Sequence, residues 1–168
     1  MIQDARLLLS GSISSSDNSI TGQTVTGTNT SVLSTNTVDL STTRDIGEGT
    51  DLFGRFQVAT AAAGGTSVEF QVVTADDAAL TTNVTVIGST GAIVTASLTA
   101  GARFACDVNP RLASKGQRYV GLRYVIVGAM TAGVYVGDLG AEIQDGQKFY
   151  PRSEEHTSEL QSRFGISY

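Results

Sequence analysis

The sequence predicts an all-β protein, an antiparallel, jelly-roll-like sandwich of about eight strands with an extended N-terminal arm. Short stretches that alternate apolar and polar residues recur about every 8 to 12 residues, which is typical of sandwiches and barrels. The chain of 168 residues holds 19 glycines but only two prolines, so it offers many turns between short strands. Almost no stretch shows the spacing of an amphipathic helix.

The N-terminal part of the chain is expected to be extended. Met1–Ser10 is compatible with a short helix or an opening strand, and its pattern does not decide between them. Gly11–Thr37 is rich in Ser, Thr, Gly and Asn, and we expect an arm with one or two edge strands; disorder is the alternative, because little apolar surface offsets the entropy of ordering. Thr37–Leu40 (TVDL) predicts a short strand. Such an arm packs by default on its own domain, and docking on a partner is the alternative.

Two β-hairpins are expected in the middle of the chain. Leu52–Thr60 and Ser67–Ala75 both alternate, and the glycine pair between them predicts an antiparallel hairpin. Asn83–Gly88 and Ala92–Leu98 flank the turn signal GSTG and predict a second hairpin. The GSTG run lacks the lysine and the spacing of a phosphate-binding loop.

The strongest strand signal is Tyr119–Val127, which reads YVGLRYVIV. Successive side chains of a strand point to opposite faces, so this stretch has one continuous apolar row, formed by Val120, Leu122, Tyr124 and Ile126. The opposite face mixes Tyr119 and Arg123 with valines, and we expect it to be partly covered. The other strands are expected to be neighbours of this one.

Two further strands complete the predicted sandwich, Arg103–Val108 and Ala132–Leu139. Cys106 lies in the first and is expected to be a buried, unreactive thiol. In the second, Tyr135 is expected on the face opposite Val134 and Val136.

Composition argues against several classes of protein. The net charge of −5 is unlike that of nucleic-acid binders, which present basic patches to phosphates. No run approaches the ~18 apolar residues of a membrane span, and no secretory signal is visible. The lone cysteine excludes an internal disulfide framework.

Catalytic constellations are not recognisable in the sequence. The only histidine, His156, lies in the C-terminal tail, so a Ser or Cys nucleophile lacks its usual base and the standard zinc sites lack ligands. The carboxylates of Asp76, Asp77, Asp107 and Glu142 form no recognisable glycosidase pair. We therefore expect a structural or binding protein rather than an enzyme, with no cofactor and no metal.

The tail at residues 152–168 breaks from the composition of the rest of the chain. Its RSEEHTSELQS run matches the translated read-through of a common short-read sequencing adapter. We expect this tail to be non-native, so that residues 1–151 are one domain with an N-terminal arm and the natural chain differs beyond Pro151. A genuine acidic tail is the alternative.

Three stretches, taken together, carry a resemblance to a known family. They are STNTVDLSTTRDIGEG at Ser34–Gly49, RYVGLRYVIVG at Arg118–Gly128 and IQDGQKFYP at Ile143–Pro151. In this order they resemble the capsid cement (decoration) proteins of tailed bacteriophages of the Bordetella-phage type. The resemblance implies a jelly-roll protein that is not an enzyme. It implies binding to the outer surface of an icosahedral virion, assembled in the host bacterial cytoplasm.

The resemblance also implies the partners. These are a major capsid protein of the HK97-like fold, whose neighbouring capsomers the protein bridges and stabilises, and further copies of the chain itself, with a dimer favoured over a trimer. Neither nucleic acid nor membrane is an expected partner. Repeated weak contacts on a symmetric shell would add up through avidity.

Charge density points to the candidate contact residues. The loop TRDIGEG carries Arg44, Asp45 and Glu48 in an otherwise sparsely charged chain, and we expect it to face a partner together with the N-terminal arm. A cation site on this loop does not fit the spacing of calcium loops, and a solvated turn is favoured. Three side chains of the late strands are further candidates for a capsid or oligomer interface, namely Tyr119, Arg123 and Tyr135.

Two other classes of protein stay open. One is a tail, baseplate or fibre module of a phage, which location on the particle would distinguish. The other is a carbohydrate-binding sandwich, for which Tyr119, Tyr135 and Tyr150 are the only candidate stacking aromatics.

Overall fold

The computed structural model describes residues 5–41, 51–108 and 117–141. Within these ranges the chain forms thirteen strands and one 3₁₀ turn, Thr95–Ser97. Seven short strands come first: β1 (Leu8–Ser10), β2 (Ser12–Ile13), β3 (Ile20–Thr21), β4 (Gln23–Thr24), β5 (Gly27–Thr28), β6 (Ser31–Leu33) and β7 (Val38–Asp39). Six longer strands follow: β8 (Phe53–Gly64), β9 (Ser67–Ala75), β10 (Thr85–Val94), β11 (Arg103–Asp107), β12 (Tyr119–Val127) and β13 (Ala129–Gly140).

Eleven of these strands form two antiparallel sheets that pack face to face as a sandwich, and β2 and β3 pair with each other in a separate two-stranded sheet. The first sheet has the order β1-β13-β8-β11, and β4 and β5 also pair with β13. The second has the order β10-β9-β12-β6, and β7 also pairs with β12. The predicted antiparallel all-β class is confirmed. A jelly roll has eight strands connected in a particular order across two sheets. That connectivity stays a prediction for this chain.

One long antiparallel ribbon forms the centre of both sheets. In the first sheet β8 pairs with β13, up to Gly64 opposite Met130. In the second sheet β9 pairs with β12, beginning at Ser67 opposite Val127. Because β9 follows β8 and β13 follows β12, both strands of the ribbon cross between the sheets at the same place. Strands that change sheet at a bend make the corners of many sandwiches.

This bend corrects the first predicted hairpin, since β8 and β9 lie in different sheets and do not pair. Gly64 and Gly65 have φ of 69° and 66°, and Gly128 on the other strand has φ of 85°. Glycine adopts these left-handed conformations readily. Here they turn the ribbon through a corner, whereas the sequence pattern predicts a tight reversal of the chain.

The second predicted hairpin is also wrong, because β10 is one strand paired with β9 along its length. The register shifts between Val86 and Gly88 and again between Ser89 and Ala92. Gly91, in the GSTG run, has φ of 70°. A glycine of this kind accommodates an extra residue in one strand, so the turn signal marks a bulge. The chain leaves the strand at Val94 and enters the 3₁₀ turn.

The N-terminal segment packs on its own domain, which confirms the default expectation. Its residues Leu8–Ser10 form a strand. Its short strands extend the edges of both sheets. Gln23, on β4 of the first sheet, joins the two edges: its Nε2 donates to the carbonyl of Leu33 at 2.6 Å, and its Oε1 accepts from the amide of Thr35 at 3.1 Å. The hydroxyl of Ser10 donates to the same Oε1. The segment therefore adds more short strands than the one or two expected.

Aromatic rings fill the space between the sheets. Tyr124 and Tyr135 stack with centroids 5.6 Å apart, and Phe70 meets both edge to face at 5.5 and 5.1 Å. The apolar row predicted on β12 lies in this core. Cys106 is buried there as predicted, and burial raises the pKa of its thiol to about 11. Among the described residues, no helix has the length and apolar character to span a membrane.

Candidate functional site

The outer face of the second sheet, opposite the core, gathers one of the predicted contact residues with polar groups from two other strands. Side chains alternate along β9, so Val68, Phe70 and Val72 point into the core and the residues between them point outward. The register of β10, β9 and β12 sets these outward residues in rows: Val94–Ser67–Val127, Ala92–Glu69–Val125, Ser89–Gln71–Arg123 and Val86–Val73–Gly121.

A chain of hydrogen bonds crosses the three strands at the middle of this face. Arg123 donates from Nε to the Oε1 of Gln71 at 2.7 Å. Gln71 in turn donates from Nε2 to the Oε1 of Glu69 at 2.6 Å, and the Ser89 hydroxyl donates to the same oxygen at 2.6 Å. The amide of Gln71 thus stands between two opposite charges and holds both in place.

The electrostatics of this chain favour two stable charges. Hydrogen bonds from Ser89 and Gln71 lower the pKa of the Glu69 carboxyl, and the charge of Arg123 adds to the effect. Glu69 is therefore ionised at neutral pH. Among the described residues, no hydrogen bond reaches the second carboxylate oxygen of Glu69 or the two Nη groups of Arg123. Both charges retain unused hydrogen-bonding capacity.

Exposed apolar side chains border these charges. Val94 and Val127 are 56% and 47% exposed, and they flank Ser67 in one row of the face. A groove of about 640 Å³ runs beside β12 and is lined by Arg123, Val125 and Val127 together with residues 29–31. We call Glu69, Gln71, Val94, Arg123, Val125 and Val127 the open half of the outer face.

The other half of the same face is covered. Val73, Ala75 and Leu80 are buried together, and Tyr119 packs against them half-buried. The guanidinium of Arg118 lies over the Tyr119 ring at 5.1 Å and binds the carboxylate of Asp39, with Nε–Oδ1 at 2.7 Å. Tyr119 is thus largely a packing residue, and the expectation that this face of β12 is partly covered is confirmed.

Tyr135 lies in the core and not on an interface, which corrects its expected position. Its side chain is fully buried, and burial raises its pKa to about 12. Gly133, two residues before it, leaves room for the ring, because a Cβ on Gly133 would lie 2.8 Å from the Tyr135 hydroxyl. A Cβ on Gly137, two residues after it, would collide with the side chain of Leu122 in the same core.

The loop residues Arg44, Asp45 and Glu48 lie outside the described residues. Arg123 is therefore the predicted candidate that the structure places on an accessible surface with unused donors. The sequence analysis missed Glu69, Gln71 and Ser89 as site residues. The alternation of SVEFQVV does place Glu69 and Gln71 on one face, but their meeting with Arg123 depends on strand pairing.

The arrangement suits binding through charge pairs and apolar contacts. Within the described ranges, no group of three His, Cys, Asp or Glu side chains lies close enough together to hold a metal ion. The open half has a fixed positive and a fixed negative charge with valines beside them. These are features of a protein–protein contact surface.

Comparison with known proteins gives a family match. The family model Bbp16 matches residues 19–138, which run from just before β3 into β13 and so include the second sheet, all of the first sheet except β1 and the end of β13, and every row of the outer face. No curated protein matches the chain.

Proposed function

The chain belongs to the Bbp16 family, a Bordetella-phage family, and from that membership we propose that it is a structural protein of the virion that binds outside the capsid. In this proposal it bridges neighbouring capsomers of a major capsid protein with the HK97-like fold and stabilises the shell. The observation that carries the proposal is the match over both sheets.

The architecture supports such a role. The short N-terminal strands are hydrogen-bonded to the edges of both sheets, so the body offers one preformed surface rather than a chain to be ordered on binding. A preformed surface avoids part of the entropy cost of association. On a symmetric shell the same weak contact is repeated many times, and avidity then gives firm attachment.

The proposal includes its partners and contacts. The charged loop with Arg44, Asp45 and Glu48 faces the capsid protein. The protein acts as a homo-oligomer, with a dimer favoured, on the outer capsid surface after assembly in the host cytoplasm. It has no enzymatic activity and binds neither nucleic acid nor membrane.

Particles assembled without this protein provide the test. Added back, the purified chain should sediment with the particles, appear as density outside the shell by electron microscopy, and raise the temperature at which the particles release DNA. Density on the tail or baseplate would replace the proposal with the tail-module alternative. Absence of binding to any part of the particle would overturn it.

The loop is tested in the same assay. Reversing the charges of Arg44 and Asp45 together should weaken attachment to the particle. Asp107→Lys is the matched control, because Asp107 is an exposed charge on β11. Unchanged attachment of the double reversal would exclude the loop from the contact.

A further inference from the structure

We propose that the open half of the outer face binds a second copy of this chain, and that Glu69 of each copy pairs with Arg123 of the other. The inference rests on the proposed homo-oligomer and adds its surface. It does not depend on the capsid being the partner.

The first step of the argument is charge complementarity within one face. Glu69 and Arg123 lie on neighbouring strands, one row apart, and Gln71 keeps them from pairing directly with each other. Each keeps unused capacity, at Oε2 of Glu69 and at the Nη groups of Arg123. A partner must therefore offer one base and one acid at the same spacing. The identical face of a second copy does so.

The second step is symmetry. A twofold contact joins the same patch on both subunits, so residue i meets j and j meets i. An axis in the plane of the contact, midway between Glu69 and Arg123 and perpendicular to the line between them, sets each carboxylate opposite the guanidinium of the other copy. The contact then contains two identical ion pairs, each between Glu69 of one copy and Arg123 of the other.

The same axis assigns a place to the neighbouring residues. Val125 is paired with Glu69 and Gln71 is paired with Arg123, so these four residues occupy the corners of a near-rectangle. With sides of about 4.8 and 6.6 Å the diagonals are not perpendicular, so the axis passes about 1 Å from Val125 and from Gln71. Val125 therefore lies close to Val125 of the second copy. Val127, which is exposed beside it, adds apolar contact.

The size of the face fits a reversible contact. Four strands about 4.8 Å apart and about nine residues long at about 3.3 Å per residue give roughly 20 by 30 Å for the whole face, so its open half measures roughly 20 by 15 Å. A standard stable interface buries about 800 Å² on each partner, which is more than the open half offers. We therefore expect a dimer whose dissociation is measurable by dilution.

Charge reversal and its rescue test the pairing. Sedimentation equilibrium of the purified chain should show a monomer–dimer exchange. Arg123→Glu alone and Glu69→Arg alone should each raise the dissociation constant at least about tenfold, because each change makes two repulsive contacts. The double variant with both changes should return it to within about threefold of the unchanged chain. Arg103→Glu, an exposed arginine of β11 in the other sheet, is the matched control and should leave the constant unchanged.

Cross-linking tests the position of the axis without reversing any charge. Val125→Cys should form a disulfide-linked dimer under mild oxidation, because the two thiols would lie within the short Cβ separation that a disulfide needs. Val94→Cys is the control: Val94 is more exposed than the half-buried Val125 but lies away from the axis, and it should cross-link much more slowly. The native Cys106 is buried and does not compete.

The outcomes separate this inference from the proposed function. A chain that stays monomeric at every concentration, a double reversal that does not rescue, or a Val125→Cys variant that cross-links no faster than Val94→Cys overturns the inference. A monomeric chain whose attachment to particles is lost in Arg123→Glu shows that the capsid protein occupies this face instead. A dimer that fails to bind particles overturns the proposed function and leaves the inference standing.

Discussion

Arg55 and Asp138 form a two-bonded ion pair across β8 and β13, where they are directly opposed in the register. Nε of Arg55 lies 2.7 Å from Oδ1 of Asp138, and Nη2 lies 2.9 Å from Oδ2. The Asp138 side chain is 1% exposed and that of Arg55 14%. The guanidinium also fills the space above Gly140, where an added Cβ would collide with it. The pair thus joins the two central strands of the first sheet.

Asp138→Asn should destabilise the protein, because it removes the charge that Arg55 faces in a largely buried setting. We expect a loss of about 3 kcal/mol in the free energy of unfolding, measured by urea denaturation. Asp107→Asn, an exposed carboxylate in the same sheet, is the control and should change stability by less than about 0.5 kcal/mol. Equal losses in the two variants would contradict a special role for the pair.

Gly128→Ala should cost more than Gly101→Ala, although the two glycines have nearly the same φ, 85° and 86°. An added Cβ on Gly128 would lie 2.9 Å from the amide nitrogen of Thr66 and 3.0 Å from Cα of Gly65, whereas nothing lies within 4 Å at Gly101. We expect about 1 kcal/mol from φ strain at Gly101 and at least about 2 kcal/mol at Gly128. Chemical denaturation measures the free energy of unfolding of both variants. Similar losses would show that crowding at the bend does not contribute.

Gln23→Ala should loosen the edge of the second sheet, because the carbonyl of Leu33 and the amide of Thr35 lose their partner. We expect a loss of about 1 kcal/mol for the protein and about tenfold faster hydrogen exchange at the Thr35 amide. Gln57→Ala, a half-buried residue of β8 whose side chain makes no hydrogen bond to the described residues, is the control. Unaltered exchange at Thr35 would show that Gln23 does not hold the edge.

Stability should fall in alkali. Burial raises the pKa of Cys106 from 9.0 to about 11 and that of Tyr135 from 10.0 to about 12. The unfolded chain then loses protons at lower pH than the folded one. The free energy of unfolding therefore keeps its full value below about pH 9 and declines above it. Urea unfolding between about pH 7 and 11 measures this decline. In Cys106→Ala the decline should begin nearer pH 10; a wild-type stability that stays constant would contradict the prediction.

Strand positions and facing were predictable where alternation is clean. Tyr119–Val127 has the predicted bounds, and Val120, Leu122, Tyr124 and Ile126 are buried as the pattern requires. β-branched and aromatic residues with period two leave few other solutions. The prediction of which face a side chain occupies was wrong at Tyr135. Its neighbours on the strand are also apolar, so alternation does not indicate which side is buried.

Pairing was harder to predict, because it depends on residues far apart in the chain. The same glycine signal serves a tight turn, a bend between sheets or a bulge, and Gly65 and Gly91 belong to the last two kinds. The open half of the outer face was hard to predict for the same reason, because it depends on strand pairing. Arg123 stands out in the sequence, but the register that brings Gln71 and Glu69 beside it is a property of the folded sheet.

The bent ribbon also governs when the chain can fold. Its first strand, β8 with β9, leaves the ribosome well before its second, β12 with β13, so neither sheet has its central pair until β12 and β13 have been synthesised. Pairing between such distant segments makes folding slow, and until then β8 and β9 remain with open edges that invite aggregation. Nascent chains halted before β12 should therefore depend on chaperones, and chains released after β13 should not.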